Sequence, residues 1–138
     1  MRTESIPAYS GFRTGRVGQA YNEAAFRHFL DVERRRAGRS SRSILLILVM
    51  VRQSPGRNLT LSNLVAAAIF HALGACVRDV DFVGWYREGQ VAGAVLVQGD
   101  KVFGELPHRF AERVVRAVEE RLAAADSRNL RVRMVPVR

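Results

Sequence analysis

Apolar residues recur along this chain in two periods. Ile44 to Val51 is an unbroken aliphatic run, too uniform for a half-exposed strand, and it predicts a central strand buried on both faces. Phe82–Tyr86 and Val91–Val97 read as two shorter strands joined across Arg87-Glu88-Gly89-Gln90, with Gly89 suited to a positive φ in the turn. Leu130, Val132 and Met134 alternate with Arg131 and Arg133, a last strand that Pro136 assigns to a sheet edge. Between the strands the period becomes helical. Leu61, Leu64, Val65, Ala68, Ile69, Ala72, Leu73, Cys76 and Val77 follow i, i+3, i+4 spacing behind the capping residues Thr60 and Ser62. Phe110, Val114, Val115, Val118 and Leu122 form a second stripe, in a helix that Pro107 opens. Upstream, Tyr21 to Ala37 places Ala25, Phe26, Phe29, Leu30 and Val32 on a further helix ended by Gly38. Gln53 to Asn58, with Pro55-Gly56, reads as a loop, and Gly99-Asp100 as a turn.

The order is helix, then strand-helix-strand-strand-helix-strand. Two crossovers sharing a central hairpin give an α+β fold: a ferredoxin-like βαββαβ antiparallel sheet with helices on one face and an additional N-terminal helix. The first and third strands should be central and the second and fourth edges, because Ile44–Val51 and Val91–Val97 are the most continuously apolar. Residues 1–18, with Pro7 and several glycines and no sustained period, read as an extended arm; residues 19–138 form a single domain.

Charge changes the picture more than composition does. The chain carries a net charge of +9, from 21 arginines and the single Lys101. Such an excess favours acidic partners. The densest cluster, Arg34, Arg35, Arg36, Arg39 and Arg42, falls where cations complement a helix C-terminus. Lone Cys76 lies within an apolar helical pattern and has no disulfide partner, which fits a reducing, cytoplasmic setting. The longest apolar run is far short of the roughly 20 residues of a membrane helix, so no membrane span is expected. His28, His71 and His108 have no partner at metal-ligand spacing, and nucleotide-loop and hydrolase motifs are absent.

One segment carries recognisable chemistry. Arg78-Asp79-Val80-Asp81, the strand that follows, Tyr86, and then Arg87-Glu88-Gly89-Gln90-Val91 resemble the R-x-x-D, strand, aromatic and G-G-D/E-E-F turn of the diguanylate cyclase (GGDEF) domains. Tyr21-Asn22 with Phe26, Leu30, Glu33, Arg36, Ala37 and Arg39 resembles that family's first helix. The resemblance spans roughly residues 21–137 and implies the nucleotide cyclase fold.

Departures from the pattern fall on the catalytic positions. Gly89 and Gln90 replace the metal-binding acid and the acid after it, the first strand carries no acid, and Asn63 falls where the guanine-reading Asp would stand. Two-metal nucleotide condensation needs carboxylates to hold divalent cations against phosphate oxygens. The expectation is therefore a catalytically inactive GGDEF-like regulatory or protein-interaction module, with no catalytic residues, no metal and no cofactor. In active relatives R-x-x-D is an inhibitory product site, which makes Arg78 and Asp81, with Arg87 and Trp85 beside them for phosphate contact and stacking, candidate ligand residues for cyclic di-GMP. The bland alternative has Arg78 at a helix end with Asp81 capping a strand entrance or pairing with it. Expected partners are a cyclic dinucleotide, and another protein or a second copy of the chain. The alternative reading is a basic ferredoxin-like nucleic-acid-binding domain; against it, the two central strands carry none of the aromatics that RNA-binding sheets expose.

Overall fold

The computed structural model describes residues 20–40, 43–54, 57–58, 60–78, 80–98, 106–122 and 128–137. Its elements are α1 (Glu23–Gly38), β1 (Ser43–Ser54), β2 (Arg57–Asn58), α2 (Asn63–Cys76), β3 (Phe82–Arg87), β4 (Val91–Gln98), α3 (Leu106–Glu119) and β5 (Leu130–Val137). The 1–18 arm, the Gly99-Asp100 turn and Arg42 lie outside the described residues.

β1 is the axis of the sheet. It pairs antiparallel with β4 from Ser43↔Gln98 to Val49↔Ala92, and with β5 from Ile44↔Val137 to Val51↔Leu130. β3 pairs with β4 on the far side, so the main sheet runs β5-β1-β4-β3. This is the expected ferredoxin-like order, with β1 and β4 central and β3 and β5 at the edges.

The two faces of β1 are covered by different helices. Leu45, Ile47, Val49 and Val51 point into a core closed by α2 and α3 through Ile69, Leu73, Phe110, Val114 and Val118. Ile44, Leu46, Leu48 and Met50 point the other way, to Tyr21, Ala25 and Phe26 of the α1 segment. The result is three layers, with α1 alone on the second face. A strand covered on both sides is apolar at every position, as β1 is from Ile44 to Val51.

α1 is held by local chemistry and by fit. The Asn22 side chain accepts from the Ala25 N–H at 2.8 Å and starts the helix. Tyr21 lies beside β3 as an isolated parallel bridge to Gly84, its N–H donating to Val83 O at 3.1 Å and its carbonyl accepting from Trp85 N at 2.9 Å. Gly84 and Gly93 are cross-strand partners, and together they form the notch that receives the Phe26 ring. Phe26 is fully buried there, edge-on to Phe82 with centroids 5.6 Å apart. Burying such a side chain stabilises by roughly 1.5–3 kcal/mol.

The structure corrects three local expectations. The loop at Gln53–Asn58 is partly strand: β1 continues to Ser54 and meets the two-residue β2 through the irregular register Arg52↔Asn58, Ser54↔Arg57. α2 begins after Ser62, one of the two expected caps, whose side chain accepts from Val65 N, but its buried stripe is Ala66, Ile69, Phe70, Ala72 and Leu73, leaving Leu64 84% exposed. α3 ends at Glu119, so Leu122 packs on the core from beyond the helix. The arginines that close α1 are tied into its surface by ion pairs, Arg34 and Arg35 to Asp31 and Arg36 to Glu33. No helix among the described residues is long and apolar enough to cross a membrane.

Candidate functional site

The R-x-x-D segment lies where α2 ends and β3 begins. Val80 and Arg78 are exposed, but the Asp81 side chain is only 1% exposed. Burying a carboxylate is costly unless its oxygens are filled. Here each of them accepts twice. Oδ2 receives the Arg78 backbone N–H at 2.9 Å and Arg78 Nε at 3.1 Å, while Oδ1 receives Arg78 Nη2 at 3.1 Å and the Val97 N–H at 3.0 Å. Arg78 Nη2 also donates to Val97 O at 2.6 Å, and Asp81 N donates back to Arg78 O at 3.0 Å.

These bonds close a loop and fasten it to the end of β4. The Asp81 carboxylate raises the pKa of the Arg78 guanidinium above its ordinary value, chiefly through their hydrogen bond. All of the strong acceptor directions of Asp81 are thereby used inside the fold. Arg78 keeps Nη1 and an exposed surface.

The two halves of the bond network differ in what they protect. Asp81→Ala strips the acceptor from two backbone N–H groups and the guanidinium at once, and is expected to destabilise by about 2 kcal/mol. Arg78→Ala leaves the carboxylate with both backbone donors, so a loss of about 1 kcal/mol is expected. Urea denaturation of both variants measures the difference. Equal losses would mean that Asp81 holds the arginine and little else.

Trp85 and Arg87 stand apart from this clasp. Both occupy the other end of β3, roughly 13–20 Å from Asp81 along the strand by extended-chain geometry. Trp85 faces α2, its ring edge-on to Phe70 at 4.9 Å, and Arg87 is exposed at the turn. Tyr86, on the opposite face, is covered by the Arg27 guanidinium at 4.3 Å from its centroid.

The β3–β4 turn, where a cyclase would present acids, is a structural junction. Gly89 takes the expected positive φ of 76° with open space around its Cα. Glu88 Oε1 accepts the Glu23 N–H, the first of α1, at 3.1 Å, and Glu23 Oε1 accepts the Glu88 N–H. A carboxylate at a helix N-terminus is electrostatically favourable as well as a cap. Arg27 completes the joint, pairing with Glu23 at 3.2 Å and donating to Tyr86 O at 3.0 Å. On the other side Leu61 N donates to Gly89 O at 2.7 Å, which ties the turn to the start of α2.

At the same end of the sheet β1 leaves the β4 ladder as Met50, Val51 and Arg52. The Arg52 Nε–H is buried without a partner. A pair of divalent cations would need several carboxylate oxygens at this end, and the described residues do not fit it: Arg52 is a cation, and Glu88 is engaged with α1. Among the described residues no three of His, Cys, Asp and Glu are grouped to hold a metal ion.

Sequence reasoning did not find the Glu23–Glu88 exchange or the role of Val97, since both join positions far apart in the chain. No protein-family model and no curated protein sequence matches the chain. Among solved structures, the crystal structure of a DGC protein from Thermotoga maritima superposes with a TM-score of 0.61 at 18% identity, covering 87% of this chain and 82% of that one. The likeness is one of fold, and the fold of this chain is GGDEF-like.

Proposed function

We propose that this chain is a catalytically inactive cyclase-fold domain that works as a regulatory, protein-interaction module. The observation that carries the reading is the turn: its one acid, Glu88, is committed to the N-terminus of α1, while the adjoining end of β1 offers Arg52 in place of a carboxylate. Phosphoryl chemistry on a nucleotide triphosphate would need charge neutralisation from metal-bound acids that these positions do not supply.

Within that reading, protein interaction is favoured over cyclic di-GMP sensing. Asp81 would have to accept from a guanine edge, and its four hydrogen bonds already lie within the fold. Arg78, Asp81, Trp85 and Arg87 also divide between opposite ends of β3, too far apart to grip one base.

Incubation with GTP or ATP and either magnesium or manganese is expected to yield no cyclic or linear dinucleotide. Calorimetric titration of cyclic di-GMP is expected to show no saturable binding up to high micromolar ligand. Product formation abolished by Glu88→Ala would sink the inactive reading. Saturable binding lost in Arg78→Ala would replace the interaction module with a sensor.

A further inference from the structure

Among the described residues β5 is paired on one side only. It forms its ladder with β1, and among the described residues no strand meets its outer edge. The phase of that edge follows from one bond. Arg52 N donates to Asn129 O at 2.9 Å, so every second residue from there, Arg131, Arg133, Val135 and Val137, turns its backbone groups toward β1. Leu130, Val132 and Met134 therefore turn their N–H and C=O groups outward. Pro136, which has no N–H, falls in the same outward set, where its missing donor costs the sheet nothing.

Both faces beside this edge are hollow. On the α3 side a cleft of about 500 Å³ is lined by Ala111, Val115 and Val132 together with Glu112, Arg116 and Glu119. On the α1 side a cleft of about 440 Å³ is lined by Leu46, Val135 and Val137, with Arg27, Asp31 and Arg34 beside them. A strand added to β5 would send alternate side chains into the two.

We propose that the outer edge of β5 is a docking site for an extended segment of a partner protein in which acidic residues two apart alternate with aliphatic ones. The inference deepens the interaction-module reading and rests on it. Charge selects the occupant. Arg131 and Arg133 are exposed on the α1 face, directly across from Met50 and Leu48. Arg131 donates only to the neighbouring carbonyl of Leu130, and neither arginine meets a carboxylate among the described residues. An acid opposite each would supply the missing cross-strand pair, and aliphatic residues between them would face Val132 and Met134.

The same residues argue against a second copy of the chain. Antiparallel two-fold pairing of β5 with itself, centred on residue 131, 132 or 133, sets arginine opposite arginine. Centred on Met134, it sets Pro136 of each copy at a bonding position against Val132 and loses a hydrogen bond at each end.

The test uses the full chain and a fluorescent peptide, acetyl-Val-Glu-Val-Glu-Val-Ile-amide, with a lysine-for-glutamate peptide as control. The glutamate peptide is expected to saturate, and to slow amide hydrogen exchange at Val132 and Met134. The double variant Arg131→Glu, Arg133→Glu changes exposed positions and keeps the fold; it should weaken that peptide roughly tenfold and bind the lysine peptide instead. Lack of saturation at millimolar peptide, indifference to charge reversal, or protection elsewhere would overturn the proposal. So would concentration-dependent protection of Val132 and Met134 in the protein alone, which marks a second copy, or competition by single-stranded RNA at low micromolar concentration, which marks a nucleic-acid surface. Failure here leaves the inactive cyclase fold standing, whereas dinucleotide synthesis would sink that reading whatever the peptide does.

Discussion

Gly84→Val should destabilise the protein by about 3 kcal/mol or more and loosen α1 from the sheet, whereas Gly93→Ala should be milder and repairable. A Cβ at Gly84 would stand 2.7 Å from Phe26 Cδ1, 2.8 Å from the Tyr21 carbonyl oxygen and 2.9 Å from Tyr21 Cβ. The carbonyl is backbone and already accepts from Trp85 N, so it cannot yield without breaking the bridge to β3. At Gly93 the close contacts are Phe26 Cζ at 2.8 Å and Cε2 at 3.2 Å, both the far end of one ring. A smaller side chain at Phe26 removes them. Phe26→Leu is therefore expected to relieve Gly93→Ala in a double-mutant cycle, with a coupling of about 1 kcal/mol, and to leave Gly84→Val nearly as damaged as before. Thermal and urea unfolding measure stability, and hydrogen exchange across residues 23–38 reports whether α1 detaches first. Equal rescue at both glycines would mean that Tyr21 does not hold α1 to β3.

That notch also marks where sequence reasoning stopped. β1 and β4 were legible because a strand covered on both faces must be apolar at every position, and few other elements read that way. The phase of α2 was not. Residues 64–70 are all apolar, so several stripes satisfy the helical period, and only the sheet decides that Phe70 goes in and Leu64 stays out. β2 is two residues long and paired through an irregular register, too short to have a period. The N-terminal helix was legible as a helix, but its side of the sheet was not written in its own residues. The signal lay in its partners: Ile44, Leu46, Leu48 and Met50 require cover, and the paired glycines leave room for a ring. The R-x-x-D spacing was likewise visible, yet the bonds from Asp81 to Val97 depend on how β4 returns beside β3. For Trp85 and Arg87 strand geometry alone was informative, since four to six extended residues separate them from Asp81 by more than the width of a nucleotide base.

The largest effect is expected from a charge in the middle of β1, and its size should depend on which face receives it. Ile47 is fully buried, set between Ala94 on β4 and Met134 on β5, in the core closed by α2 and α3. No cation lies opposite it, so Ile47→Asp must bury an unpaired carboxylate or hold it protonated. A loss of about 5 kcal/mol or more is expected, comparable to the whole stability of a small domain, and the variant should be largely unfolded at 25 °C. Leu48→Asp is a change of the same chemistry one residue along, but Leu48 points to the α1 face and its direct neighbour on β5 is Arg133. An exposed guanidinium beside the new carboxylate offers it a partner and a route to water, so Leu48→Asp should cost distinctly less and retain a cooperative transition. Adding Arg133→Ala should remove that advantage and bring the Leu48 variant close to the Ile47 one. Circular dichroism during urea unfolding of the three variants decides it. If Leu48→Asp unfolds as completely as Ile47→Asp while Arg133 is present, the arginine does not reach across the ladder, and the cationic edge assigned to β5 loses its first support.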